Sequence, residues 1–223
     1  MHHLDLGGVR AILVDQRGHG RSDQTGSGFT LERFARDLFA VADAVDSEST
    51  VLVGYSMSGK WAQWMASSAP ERIHGLVLVA PAPATEIPLP EVEKERWLSV
   101  ARSGDCEVFE GWLRAWTKEA LPKDVVDRYF QDVSRTSQVT LGATLDMCVH
   151  GSFLDRLQTV TAPTLVIGGN ADPLVPPAAL REAVVSQIRG ARLALVECGH
   201  EIPVEAPDVV AALLEAFLAG LKD

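Results

Sequence analysis

The 223-residue chain predicts an α/β fold with a mostly parallel sheet and a helical insertion. Short, nearly continuous apolar runs recur at Val9–Val14, Thr50–Tyr55, Ile73–Ala80, Thr164–Ile167 and Arg192–Glu197, as strands covered on both faces require. Segments with helical apolar spacing separate them. Between about Thr85 and Val160 this rhythm stops and the sequence becomes mixed polar-apolar and helical.

Val9–Val14 reads as the first strand, followed by a loop through Gly28. Thr30 is placed to cap a helix in which Leu31, Phe34, Leu38, Val41, Ala42 and Val45 share a face. Thr50–Tyr55 is the next strand, and Met57 to about Ser68, with Trp61 and Trp64, is the helix after it. Ile73–Ala80 supplies a buried strand that ends in the turn Pro81-Ala82-Pro83-Ala84. In the insertion, Trp97, Phe109, Trp112, Trp116, Tyr129, Phe130 and Phe153 are expected chiefly to pack helices together, with some facing a pocket. After Ala162-Pro163 the rhythm resumes with Thr164–Ile167, then a helix near Pro176-Pro177, where proline suits a first turn. Arg192–Glu197 is the last strand. Pro207 and Asp208 start a terminal helix with a wide apolar stripe of Val209, Val210, Leu213, Leu214, Phe217, Leu218 and Leu221.

Composition narrows the function classes. Lys and Arg number 20 against 30 Asp and Glu, a net charge of −10, which disfavours a nucleic-acid partner because phosphate recognition needs clustered cations. Mean hydropathy of +0.08 is that of a globular protein. Cys106, Cys148 and Cys198 lack paired spacing, so neither a disulfide framework nor a zinc motif is expected. Cys148 and His150 make an incomplete pair, and Cys148 reads better as a buried thiol. No signal segment and no apolar run of membrane-spanning length is evident, so a cytoplasmic protein with no membrane partner is expected. No cofactor or metal is expected, and the oligomeric state is not written in the pattern.

The chemistry lies in Gly54-Tyr55-Ser56-Met57-Ser58-Gly59, directly behind the apolar Val51-Leu52-Val53 and ahead of a helix. Small residues around Ser56 suit a sharp strand-to-helix turn that presents a nucleophile. By itself the segment also fits a glycine-rich turn, because Ser58 stands where the G-x-S-x-G spelling has its second glycine. Downstream, Asp172 follows Leu165-Val166-Ile167 and His200 follows Leu193-Ala194-Leu195-Val196. Each alone fits an ordinary loop. Together they place an acid and a base at carboxyl ends of apolar strands, where open α/β sheets build their sites. A serine hydroxyl needs a base to remove its proton, and an acid fixes that base's tautomer. Glu197 and Glu201 are rival acids, but each lies too near His200 along the chain to orient it easily.

The order Ser56, Asp172, His200 and the loop Asp15-Gln16-Arg17-Gly18-His19-Gly20-Arg21-Ser22 together resemble the α/β-hydrolase superfamily, from about Val9 to the C-terminus. The capped, esterase- or lipase-like branch is the one resembled. That resemblance implies a core from residues 1–84 and 161–223 and a helical cap at 85–160. It implies a loop-shaping rather than proton-shuttling His19, and puts Lys60 on the helix behind the nucleophile. Met57 N–H is implied as one oxyanion donor, worth roughly 10²–10³ in turnover. The expected activity is hydrolysis of a small or medium carboxylic ester or related acyl substrate. Carbon–carbon bond hydrolysis, perhydrolysis and a ligand-binding or impaired variant are the alternatives.

Relatives carry a His-Gly segment after their third strand that supplies the second oxyanion donor. Here Met1 to Gly8 alone precede the first apolar run, with Leu4-Asp5-Leu6-Gly7-Gly8 resembling the tail of the preceding helix. The first three strands are therefore expected to be missing, and a start codon placed too far downstream is favoured over direct pairing of the two flanking strands or a strand supplied by another chain. Weak hydrolysis beside an intact triad is the expected consequence.

Overall fold

The computed structural model describes residues 9–47 and 49–221. Four strands form one parallel sheet: β1 (Thr50–Tyr55), β2 (Ile73–Val79), β3 (Thr164–Gly169) and β4 (Arg192–Val196), in that spatial order. Val53 sits opposite Val77, Val77 opposite Leu165, and Leu165 opposite Arg192. Because side chains alternate across a strand, the sheet has two cores. Leu76, Leu78 and Val166 pack on one face with Phe34, Trp61 and Ala62, whereas Val77, Val79, Leu165 and Ile167 pack on the other with Val210 and Phe217.

Helices cover both faces. On the first lie α1 (Leu31–Ala44) and α2 (Met57–Ser68); on the second lies the terminal helix, α9 (Pro207–Gly220). Thr30 caps α1 as expected, its hydroxyl oxygen accepting from Arg33 N–H at 3.1 Å. Leu78 is fully buried at the centre of the sheet, so Leu78→Ala is expected to destabilise the fold by about 2–5 kcal/mol in urea denaturation. A loss below about 1 kcal/mol would contradict this packing.

Between β2 and β3 run α3 (Glu91–Arg102), α4 (Cys106–Arg114), α5 (Lys123–Arg135) and α6 (Gln138–His150). The first three share a small core of Val100, Phe109, Leu113 and Val126, ringed by Trp112, Trp116, Tyr129 and Phe130. The aromatic packing expected of this segment is present: Phe109 and Phe130 rings lie 5.7 Å apart, and Trp97 and Trp112 5.7 Å apart edge to face. α6 behaves differently. Its Met147 and Cys148 belong to the main core, so the segment returns to the sheet before β3 begins. The remaining helices are α7 (Pro177–Ala183), between β3 and β4, and the short α8 (Ile202–Glu205) after β4.

One expected strand does not form. Val9–Val14 joins no ladder, and among the described residues the sheet ends at β1. Leu13 is 91% exposed, and on the β1 edge Val53 is 58% exposed. A strand is held by a neighbour's amides and carbonyls about 4.8 Å away. In the strand order that the α/β-hydrolase resemblance implies, another strand would separate this segment from β1, and none of the described residues occupies that place. The loop that follows is nevertheless tied down. Arg17 pairs with Asp37 of α1 at 2.6 Å, and Trp61 of α2 donates its indole N–H to Gln16 at 2.8 Å. The expectation for Leu4–Gly8 lies outside the described residues.

Candidate active site

The site begins with a strained turn. Ser56 has φ 50° and ψ −119°, a left-handed conformation that costs roughly 1–3 kcal/mol for a residue with a Cβ. The surrounding backbone holds it there: Ser56 N–H donates to Val79 O at 2.9 Å, and Ser56 O accepts from Gly59 N–H at 3.0 Å and Ala82 N–H at 2.9 Å. A Cβ on Gly59 would lie 2.5 Å from Pro81 Cβ, so glycine lets the start of α2 approach the end of β2. Ser58 accounts for the unusual spelling of the motif. Its hydroxyl donates to Tyr55 O at 2.7 Å and accepts from Tyr55 N–H at 2.9 Å, closing the elbow from within.

Asp172 stands on the loop after β3. Its Oδ1 accepts from Leu174 N–H at 2.8 Å and Val175 N–H at 3.0 Å, which orients the other oxygen. The loop after β4 lies against it: Ala171 N–H donates to Cys198 O at 3.0 Å, and a Cβ on Gly169 would stand 2.0 Å from Gly199 O. Glycine is needed for that approach. Across this junction Asp172 Oδ2 lies 2.8 Å from His200 Nδ1, and His200 Nε2 lies 2.9 Å from Ser56 Oγ. The three side chains singled out from the sequence are therefore in one hydrogen-bonded line. With the carboxylate at Nδ1, that nitrogen carries the proton and Nε2 accepts from the serine hydroxyl. Both Asp172 and His200 are buried.

Met57 is the first residue of α2, so its N–H has no acceptor within the helix. His19 is elsewhere, its Nδ1 3.1 Å from Arg17 O in the loop after Val14. Lys60 points away from the nucleophile. Fully buried, it donates to Thr85 O at 2.7 Å and Cys148 O at 2.5 Å, tying α2 to both ends of the helical insertion.

Burial lowers the Lys60 amine from 10.5 to about 8, against the opposing charges of Cys148 and Glu86. Below pH 8 folded and unfolded chains both hold this proton and the buried charge opposes folding. Between pH 8 and 10.5 the folded chain releases it while the unfolded chain keeps it, so stability rises with pH. Urea denaturation is expected to show native protein gaining stability relative to Lys60→Met from pH 8 to 10. A flat difference would mean an amine that stays charged when folded.

One supporting residue, Glu205, carried no sequence signal. Glu205 of α8 accepts from Gly199 N–H at 3.1 Å, Lys118 N–H at 2.7 Å and Glu119 N–H at 3.4 Å, joining the histidine loop to the α4–α5 loop. His200 N–H donates to Trp116 O at 2.7 Å, and the imidazole lies between Tyr55 and Trp116, with ring centroids at 5.6 and 6.1 Å. The rival acid Glu201 is buried beside the hydroxyls of Tyr55 and Tyr129; burial raises its carboxyl above the usual range while those hydroxyls oppose the rise. Glu197 faces outward to Lys118 and Asn170. Burial pushes the thiols of Cys148 and Cys198 up to about 11, which keeps both inert at neutral pH.

Ser56 and His200 open onto a cavity of about 580 Å³ walled mainly by apolar side chains, among them Trp97, Trp112, Trp116, Leu145 and Val184. Among the described residues no cluster of His, Cys, Asp and Glu could hold a metal ion, and no helix is long and apolar enough to cross a membrane.

Comparison with known proteins gives the family. A putative non-heme chloroperoxidase from Synechocystis sp. is 31% identical over 226 residues, covering 95% of this chain and 82% of its own length. The 3-oxoadipate enol-lactonase 2 of Acinetobacter baylyi is 24% identical, over 93% of this chain and 78% of that protein. A thermophilic esterase from Thermogutta terrifontis superposes with a TM-score of 0.79 at 25% identity, covering 93% of this chain and 78% of the other. The family described as alpha/beta hydrolase fold matches residues 1–207, and with the elbow, the sheet order and these relatives the chain belongs to that family.

Proposed function

We propose that the chain is a serine hydrolase acting on a small or medium carboxylic ester, with Ser56 as nucleophile, His200 as general base and acid, and Asp172 as the group that orients it. The observation that carries this reading is the unbroken line from Asp172 to Ser56, with separations of 2.8 and 2.9 Å. As Ser56 Oγ bonds to the carbonyl carbon, its proton passes to His200 Nε2, and Asp172 stabilises the imidazolium. Met57 N–H stabilises the developing oxyanion. The imidazolium proton then passes to the departing alkoxide, leaving an acyl group on Ser56. Water gives its proton to Nε2 as it attacks that ester, and the same proton returns to Ser56 Oγ as the acid leaves. The insertion at 85–160 acts as a cap, and its α3, α4 and α6 contribute side chains to the wall of the acyl site.

Labelling of Ser56 by a fluorophosphonate probe tests this reading directly. A folded chain that resists the probe at concentrations that label a serine esterase would refute it. The putative chloroperoxidase relative favours a second reading, in which hydrogen peroxide replaces water and releases a peracid from the same acyl-enzyme. Halide oxidation that requires both peroxide and a carboxylic acid, and is lost in Ser56→Ala, would support it.

A further inference from the structure

We propose that the acyl pocket selects neutral, apolar acyl chains and rejects those ending in a carboxylate, a substrate class that rests on the serine-hydrolase reading. Trp97, Trp112, Trp116, Leu145 and Val184 present hydrocarbon and ring surface to the cavity that contains Ser56 and His200. The charged residues of the lining are Glu86, Glu93 and Arg96, two carboxylates against one guanidinium. All three are exposed, which places them where the cavity meets solvent. Arg96 also has an acidic neighbour: its Nη1 lies 3.8 Å from Glu93 Oε2 one turn away on α3, an ion pair open to solvent and longer than a hydrogen bond.

A terminal carboxylate on the acyl chain would meet two unfavourable conditions. Seated against the tryptophans it would lose water without gaining a hydrogen-bonded cation. Moved outward to Arg96, it would compete with Glu93 and approach Glu86. An alkyl or aryl terminus meets neither difficulty and gains by leaving water. The pocket therefore discriminates by what its inner wall lacks, a lysine or arginine, and by the two carboxylates that flank the one guanidinium at its mouth.

Two esters of equal chain length isolate the effect: p-nitrophenyl hexanoate and the mono-p-nitrophenyl ester of adipic acid, which differ by a terminal carboxylate. Second-order acylation constants, read from p-nitrophenol release after subtraction of the Ser56→Ala background, are expected to favour hexanoate by at least about tenfold. Glu93→Gln, checked for an unchanged melting temperature, is expected to narrow that ratio several-fold by freeing Arg96. Equal constants, or a preference for the adipate ester, would overturn the proposal. A ratio unmoved in Glu93→Gln would overturn the role given to the acidic pair. Fluorophosphonate labelling of Ser56 in the same preparation separates the two layers: labelled protein without ester preference refutes the selectivity alone, whereas protein inert to the probe and both esters refutes the hydrolase reading as well.

Discussion

Ser56→Ala is expected to abolish fluorophosphonate labelling and to lower p-nitrophenyl ester turnover by roughly 10⁴–10⁶-fold, with little loss of stability. The size of the effect follows from the chemistry. Without Oγ no acyl-enzyme forms, and any residual rate comes from water attacking a bound ester. Alanine is tolerated because the elbow is held through backbone groups of Ser56, donating to Val79 O and accepting from Gly59 and Ala82 N–H. The positive φ of 50° is no worse for alanine than for serine. Turnover within tenfold of the native chain would mean that another group does the chemistry. Matched urea midpoints would confirm that the comparison is between folded proteins.

Asp172→Asn is expected to lower kcat by about 10⁴-fold while leaving the loop in place. Asparagine's carbonyl oxygen can still accept from Leu174 and Val175 N–H, as Oδ1 does now. Its amide would then face His200 Nδ1 as a donor where the carboxylate was an acceptor. To accept that bond the imidazole must move its proton to Nε2, the nitrogen 2.9 Å from Ser56 Oγ. The base then has no lone pair for the serine proton. Asp172→Ala, by contrast, is expected to lose stability as well, because two backbone donors lose their acceptor. A kcat for Asp172→Asn within tenfold of native would show that the tautomer of His200 is set elsewhere, and buried Glu201 would be the group to examine next.

Why Ser56, Asp172 and His200 were legible before the fold was known has a local explanation. Each sits just past an apolar run, and parallel strands of one sheet must end at the same edge, so the three loops converge. Ser58 obscured the motif in sequence, and its hydroxyl bridge to Tyr55 backbone explains why glycine is not required there. Val9–Val14 shows the limit of the same reasoning. Its composition is that of a strand, but composition expresses a capacity to pair, and the pairing requires a neighbour. Trp112 and Trp116, expected from the sequence to pack helices or face a pocket, do both: their ring centroids lie 3.8 Å apart and both line the cavity.

The positions of the four paired strands and the helix cap at Thr30 were settled by the sequence itself, because each depends on residues within a turn or two of one another, and the order of the catalytic candidates is read directly along the chain. The tertiary structure decided the rest: that the sheet ends at β1, that Lys60 ties α2 to the ends of the insertion, that Glu205 joins the histidine loop to the α4–α5 loop, and that Arg96 is matched by Glu93 at the mouth of an aromatic pocket. Apart from the Arg96–Glu93 pair, those features join groups far apart along the chain, whose meeting is set by how whole elements pack. Even the neighbours Arg96 and Glu93 acquire their meaning only when α3 is laid over Ser56.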